Sequence, residues 1–203
     1  MIRLNKLAPL FTLVVLAGVA WADVDGGKNL YIEGKYERAE KELRSAVGSN
    51  AGDYEANLYL AKSLLAQHKP DEAEPFLKKA EELNPDSTET YVAMATYSIE
   101  KKNYADASKK IDQARSKSPD DVEASYAAGL LDLNQKNYQG AVNNLEKVAS
   151  DAPHMAYGHY YLGLAYNGMK RPDKMIEEFQ TFLKLAPDAP ESAKVRSLLR
   201  TVR

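Results

Sequence analysis

An all-α solenoid of about five helix–turn–helix units, finished by a C-terminal helix, is the fold this sequence predicts. Three observations predict it. Pro85, Pro119, Pro153 and Pro187 fall 34 residues apart without a slip. Small and large residues recur in register with those prolines through five copies. Within each copy the apolar residues follow helical spacing, as two antiparallel helices, A and B, require.

Numbering each copy so that the proline is position 32 gives repeats at 20–53, 54–87, 88–121, 122–155 and 156–189. Position 8 is Gly27, Ala61, Ala95, Gly129 and Gly163, and position 20 is Ala39, Ala73, Ala107, Ala141 and Met175. Position 24 is Leu43, Leu77, Ile111, Leu145 and Phe179; position 27 is Ala46, Ala80, Ala114, Val148 and Phe182. Position 17 is Tyr36, Pro70, Tyr104, Tyr138 and Pro172. Small residues at positions 8, 20 and 27 let the two helices approach, and the large residue at 24 fills the remaining gap. Asp53, Ser87 and Asp121 are suited to capping the next helix A. Pro70 and Pro172 stand where helix B begins, in a first turn that tolerates proline. These residues pack the chain and do no chemistry.

This alternation resembles the tetratricopeptide repeat, and it covers essentially all of the chain after residue 22. The resemblance implies a right-handed α-solenoid. The final stretch, 190–203, carries Val195, Leu198 and Leu199 on one face and basic residues elsewhere. It is expected to cap the last repeat, with the oversized Met175, Phe179 and Phe182 beneath it. Helix A of the first repeat is expected to be short and frayed, because it contains Gly26 and Gly27 and lacks a full first turn. Pro75 lies inside helix B of the second repeat and is expected to bend it.

Residues 1–22 have the three parts of a cleavable export signal. Arg3 and Lys6 make the n-region basic, and an apolar run of 14 residues extends from Leu7 to Ala20. Ala20-Trp21-Ala22 then offers a cleavage site before Asp23. The run is shorter than the ~20 residues of a membrane-spanning helix and contains Pro9 and Gly18. The alternative is an uncleaved anchor that tethers the solenoid to the inner membrane. Cleavage would leave 181 residues with a formal charge of −4, against −2 for the whole chain of 203. A soluble mature protein in a bacterial periplasm is the expectation, not embedded in the membrane.

Composition narrows the function classes. Apolar residues are 44% and charged residues 28% of the chain, which is globular rather than disordered. The balanced charge gives no basic stripe for nucleic acid. The absence of cysteine excludes disulfides, thiolate metal sites and cysteine nucleophiles. His68 belongs in a turn, and His154 and His159 are five apart across a loop–helix junction, so they do not share a helical face. Neither a metallopeptidase motif, a nucleophile elbow, a phosphate loop nor a calcium loop occurs. No enzyme, metal or cofactor is expected. Asp132 is an unusual carboxylate at position 11, where other repeats have Leu30, Leu64, Ser98 and Tyr166. It is read as a rim residue with its carboxylate in water.

The resemblance implies that helices A line a concave groove for a partner peptide or helix, with positions 2, 5, 9, 12 and 13 facing it. Carried onto this chain, the groove residues are Lys28, Tyr31, Leu58, Lys62, Val92, Thr96, Tyr126, Leu130, Leu133, Tyr157, Tyr160 and Leu164. Lys28 and Lys62 give the N-terminal half positive charge, while the C-terminal half is apolar and aromatic. Each tyrosine is either a contact or a packing residue. Glu55, Glu89 and Glu123 at position 2 are read as first-turn residues that favour the helix dipole. The clamp with which some family members grip a partner's C-terminal carboxylate is excluded, because Val24, Leu58 and Val92 interrupt it. The expected function is a protein-interaction scaffold for a cell-envelope complex such as a pilus, secretion, export or outer-membrane machine. Self-association of the solenoid is the alternative.

Overall fold

The computed structural model describes residues 23–202, so Ala20, Ala22 and the rest of the export signal lie outside the described residues. The described residues form eleven α-helices and no strand. The five helices A are α1 (Val24–Ile32), α3 (Tyr54–Ala66), α5 (Thr88–Glu100), α7 (Val122–Asn134) and α9 (Ala156–Gly168). The five helices B are α2 (Tyr36–Ser49), α4 (Pro70–Leu83), α6 (Tyr104–Lys117), α8 (Tyr138–Asp151) and α10 (Pro172–Leu185); α11 (Ser192–Thr201) follows. Each helix A packs on its own helix B and on the helices A of the adjoining repeats.

Local chemistry sets the boundaries. Asp53, Ser87 and Asp121 accept from the backbone N–H of Ala56, Thr90 and Ala124 at 2.9, 3.2 and 2.7 Å. Between helices A and B the residue at position 15 is left-handed in every repeat: Gly34, His68, Lys102, Lys136 and Lys170, with φ between 57° and 73°. The following N–H bonds back to the carbonyl five residues earlier, as in Lys69 to Leu64 and Asn137 to Asp132 at 2.9 and 2.8 Å. This is the Schellman closure of a helix C-terminus. His68 therefore owes its place to backbone geometry. After each helix B the chain turns extended, with Asn50, Asn84 and Ser118 near φ −140°; in repeats two to five the proline that follows disfavours helical backbone before it, and in repeat one Asn50 takes the same form before Ala51.

Positions 8 and 24 meet within each repeat. A Cβ on Gly27, Gly129 or Gly163 would lie only 2.6, 2.5 and 2.6 Å from Leu43, Leu145 and Phe179. Glycine is what permits that approach. Met175, Phe179 and Phe182 are fully buried, and Val195 of α11 packs on the same cluster with Leu198 and Leu199 beside it. Helix α1 has 9 residues against 13 in the other helices A, and Asp23 makes no side-chain cap. Helix α4 runs through Pro75 from Pro70 to Leu83 without interruption; Pro75 is exposed, so the carbonyl that loses its donor can bond water. Among the described residues no helix is long and apolar enough to cross a membrane.

Candidate functional site

Helices α1, α3, α5, α7 and α9 supply the predicted groove residues, and the structure divides these residues into three groups. The first is core. Leu58, Val92 and Tyr160, all at position 5, are buried. Tyr160 turns toward its own helix B, with its ring 5.1 Å from that of Phe182 and 6.0 Å from that of Phe179. Helix A is pressed on one side by its own helix B and on others by neighbouring helices A, which encloses position 5 in repeats two, three and five, while Val24 and Tyr126 at the same position are half-buried. These three side chains are not open to a partner.

The second group is charged and internally paired. Lys28 Nζ donates to Glu55 at 2.6 Å. Lys62, with its side chain only 7% exposed, donates to Glu123 at 2.9 Å, reaching over the whole third repeat. Its ammonium also stands 5.3 Å from the Tyr31 ring centre and 5.0 Å from that of Tyr59. Burial pulls the Lys62 ammonium toward neutrality, but Tyr31 and Glu123 outweigh it and raise its pKa. The expected positive charge of the N-terminal half is thus neutralised by position-2 glutamates, which do more than complement helix dipoles. Glu89 is the exception, with no ion pair among the described residues.

The third group is open and apolar. Leu130, Leu133 and Leu164 are half-buried. With Asn134, Tyr138 and Tyr161 they line a cleft of about 270 Å³. The Tyr161 ring packs edge-on against Tyr126 at 5.8 Å and lies 6.3 Å from Tyr157, whose hydroxyl donates to Glu191 at 2.9 Å. Tyr126 and Tyr157 are half-buried walls behind the cleft. Burial raises the phenols of Tyr126, Tyr157 and Tyr161 far above the usual range, and that of Tyr31 to about 12. All four stay neutral near pH 7, and of them Tyr157 donates its hydroxyl, to Glu191. Thr96 spends its hydroxyl on the Val92 carbonyl at 3.1 Å.

Reasoning from family positions missed Tyr138 and Tyr161. Tyr161 occupies position 6, where repeats three and four have Ala93 and Ala127, and that difference in size was the available signal. Asp132 is corrected as well: its carboxylate accepts from Asn137 at 2.7 Å and Asn144 at 2.8 Å, and Arg115 donates to Asn144 at 2.7 Å. It joins α7 to α8 and is not left to water alone. His159 is buried between Glu178 at 2.7 Å and the Pro153 carbonyl at 3.1 Å, whereas His154 is exposed. Among the described residues no group of three or more potential ligands is placed to hold a metal.

A solenoid of helical pairs with an apolar cleft between helices A is the architecture of an interaction module. One tetratricopeptide repeat model matches residues 30–96 and again 64–131, and a second such model matches residues 126–190. The chain belongs to the tetratricopeptide repeat family, and it is a scaffold of the protein–protein interaction type, a class that is typically non-catalytic. No curated protein matches the sequence. Among solved structures it is similar to TTC0263, a thermophilic protein of this family from Thermus thermophilus, with 18% identity and a TM-score of 0.72 over 88% of this chain and 96% of that one. It is also similar to pilF of Pseudomonas aeruginosa, at 16% identity and a TM-score of 0.58 over 88% and 84% of the two chains. YrrB, described as having an unusual peptide-binding site, aligns at 17% identity and a TM-score of 0.52 over 86% and 90%. At these identities the likeness is one of fold.

Proposed function

We propose that this protein is an exported, periplasmic scaffold that holds a peptide or helix of a partner protein in the C-terminal half of its groove, within a cell-envelope assembly. The cleft of Leu130, Leu133, Tyr138, Tyr161 and Leu164 carries the proposal. Its ~270 Å³ is below the ~300–1,000 Å³ of most small-molecule sites, and suits one or two apolar side chains of a docked segment. Residues 1–22 support export, because their basic, apolar and Ala-x-Ala parts make an export signal. Two chains of the same fold, the Pseudomonas pilF protein and the peptide-binding YrrB, fit such a role without fixing the partner.

Photo-crosslinking in cells tests the reading, with the probe at Leu130 and Leu164 and at buried Leu58 as the control. Adducts to one distinct protein at both open positions, and none at Leu58, are expected. Adducts only to further copies of this chain would replace the proposal with self-association. N-terminal sequencing of the extracted protein is expected to begin at Asp23; a start at Met1 in the membrane fraction would mean a tethered form.

A further inference from the structure

The open cleft reaches the edge of the groove where helix A turns into helix B. Asn134 ends α7 and Tyr138 begins α8, and both line it. Between them stands Lys136, exposed and left-handed. The next turn abuts the same wall: a Cβ on Gly168, the last residue of α9, would run into the Tyr138 ring. Two residues further on comes Lys170, also exposed and left-handed, and Arg171 follows with its guanidinium over the Tyr166 ring. Lys136 and Lys170 have no ion pair among the described residues, unlike Lys147 and Lys174 nearby. The six residues lining the cleft carry no charge, and neither 134–138 nor 168–171 contains an acid. Of the acids next in sequence, Asp132 accepts from two asparagine amides, and Asp173 is exposed in the first turn of α10. In repeat three the place of Asn134 and Gly168 is taken by Glu100, two residues before Lys102, so the cationic edge belongs to repeats four and five. Glycine takes this backbone without strain, as Gly34 does in repeat one, so the turn does not need the lysine side chains.

Resting on the reading of this cleft as a docking site, we propose that its occupant is an acidic amphipathic segment of the partner, with aliphatic side chains in the cleft and Asp or Glu over the turn edge at Lys136 and Lys170. A cationic segment would set its charges against these lysines, and like charges brought together repel partners. An uncharged apolar segment would fill the cleft and leave both ammonium groups in water, gaining the apolar contact alone. An acidic segment gains that contact and pairs the lysines as well. Both lysines are exposed, so pairing strips little water from them and each pair is worth little by itself. The apolar contact therefore holds the segment, and the lysines select it and speed its arrival, an effect that salt weakens. The chain as a whole is net negative, at −2, so a preference for acidic segments would come from this edge and not from overall charge.

Three amidated probe peptides, about 14 residues long, test this with the purified protein by fluorescence anisotropy. All carry leucine on the same helical face, with glutamate, glutamine or lysine at the polar positions. The glutamate peptide is expected to bind tightest and the lysine peptide weakest. Lys136→Gln and Lys170→Gln are each expected to weaken the glutamate peptide by about two- to fivefold, and Leu164→Gln to weaken it further. Lys109→Gln, at an exposed site on α6, is expected to change nothing. Lys136→Gly relaxes the backbone of the turn, so it is expected to weaken the peptide while the circular dichroism of the fold is kept. Equal binding of the three peptides, tighter binding of the lysine peptide, or an equal loss with Lys109→Gln overturns the proposal. So does indifference to Lys136→Gln and Lys170→Gln, which would leave these lysines only the role of complementing a helix dipole. A dimer in light scattering that the glutamate peptide dissociates would make a second copy the occupant and overturn the assignment to a partner. If no peptide binds but the Leu164 crosslink captures a partner, the charge inference falls and the docking reading stands. If no peptide binds and no crosslink forms, both fall.

Discussion

Replacing Gly163 by alanine tests the packing logic of the solenoid where a helix A crosses its own helix B. The new Cβ would lie 2.6 Å from Phe179 Cε1 and 2.7 Å from Cδ1, so the ring must retreat by about 1 Å to reach ordinary contact. Phe179 is fully buried, and Tyr160 and the rest of the C-terminal cluster surround it. Overpacking of this kind costs ~1–3 kcal/mol, and alanine returns ~1 kcal/mol in helix propensity. The net expectation is a loss of about 1–2 kcal/mol. Repeat two already carries the combination Ala61 and Leu77 at the matching positions. Phe179→Leu alone should cost about 1 kcal/mol by leaving space, but the double variant should recover at least ~1 kcal/mol of the summed loss, because the methyl occupies what the ring vacates. Urea unfolding followed by far-ultraviolet circular dichroism measures all three. Additive losses would refute the reasoning, since they would mean that the two side chains do not compete for one volume.

Three further outcomes follow from other parts of the structure. Lys136 is exposed and left-handed at φ 60°, so Lys136→Gly should stabilise by about 0.5–1 kcal/mol in the same unfolding assay; a loss would mean that the turn depends on the lysine side chain. Burial alone would raise the Glu40 carboxyl, but hydrogen bonds from Arg44, Lys69 and Gln67 hold it at about 2 against an ordinary 4.5. A depressed carboxyl contributes stability that is present above pH 4.5 and lost as the pH falls toward about 2, so Glu40→Gln should flatten the acid limb of the stability curve in that window and leave its slope near pH 7 unchanged. The Lys62–Glu123 pair should respond unequally, because Lys62 is 7% exposed and Glu123 40%. Glu123→Ala strands a buried ammonium and should cost about 2–3 kcal/mol, whereas Lys62→Met leaves a carboxylate that water can reach and should cost about 1; equal costs would contradict the burial asymmetry.

The architecture was legible because its signals are local or strictly periodic. The 34-residue proline register is strictly periodic, the caps at Asp53, Ser87 and Asp121 act over three residues, the glycines at position 8 act within one repeat, and the structure uses the caps and the glycines. The groove was less legible. Helix A is apolar on nearly every side because it is covered from several directions, so periodicity does not separate a partner-facing leucine from a core leucine. Leu58 and Leu130 look alike in sequence, yet the first is fully buried and the second lines the open cleft. The pairing of Lys62 with Glu123, rather than with Glu89 one repeat nearer, depends on superhelical curvature. A repeat length does not encode that curvature. Asp132 differs, since Asn137 and Asn144 lie five and twelve residues downstream, in the turn and on the facing helix, and could have been found by reading across the turn.

That skipped pairing also accounts for where the groove is open. A solenoid's stability is approximately a sum of terms between adjacent repeats, and each helix-to-helix packing contact here obeys that rule. Lys62–Glu123 does not: it joins repeats two and four directly, and Tyr31 of repeat one lies over the same ammonium. Opening the groove at this point would separate a buried cation from its carboxylate and its aromatic neighbours, at a cost that a docking segment would have to repay. Among the described residues no such link crosses the cleft of Leu130, Leu133 and Leu164, whose walls are neutral phenols and aliphatic side chains. A partner entering there displaces water from apolar surface and breaks no ion pair. The charged link holds the N-terminal half of the groove shut.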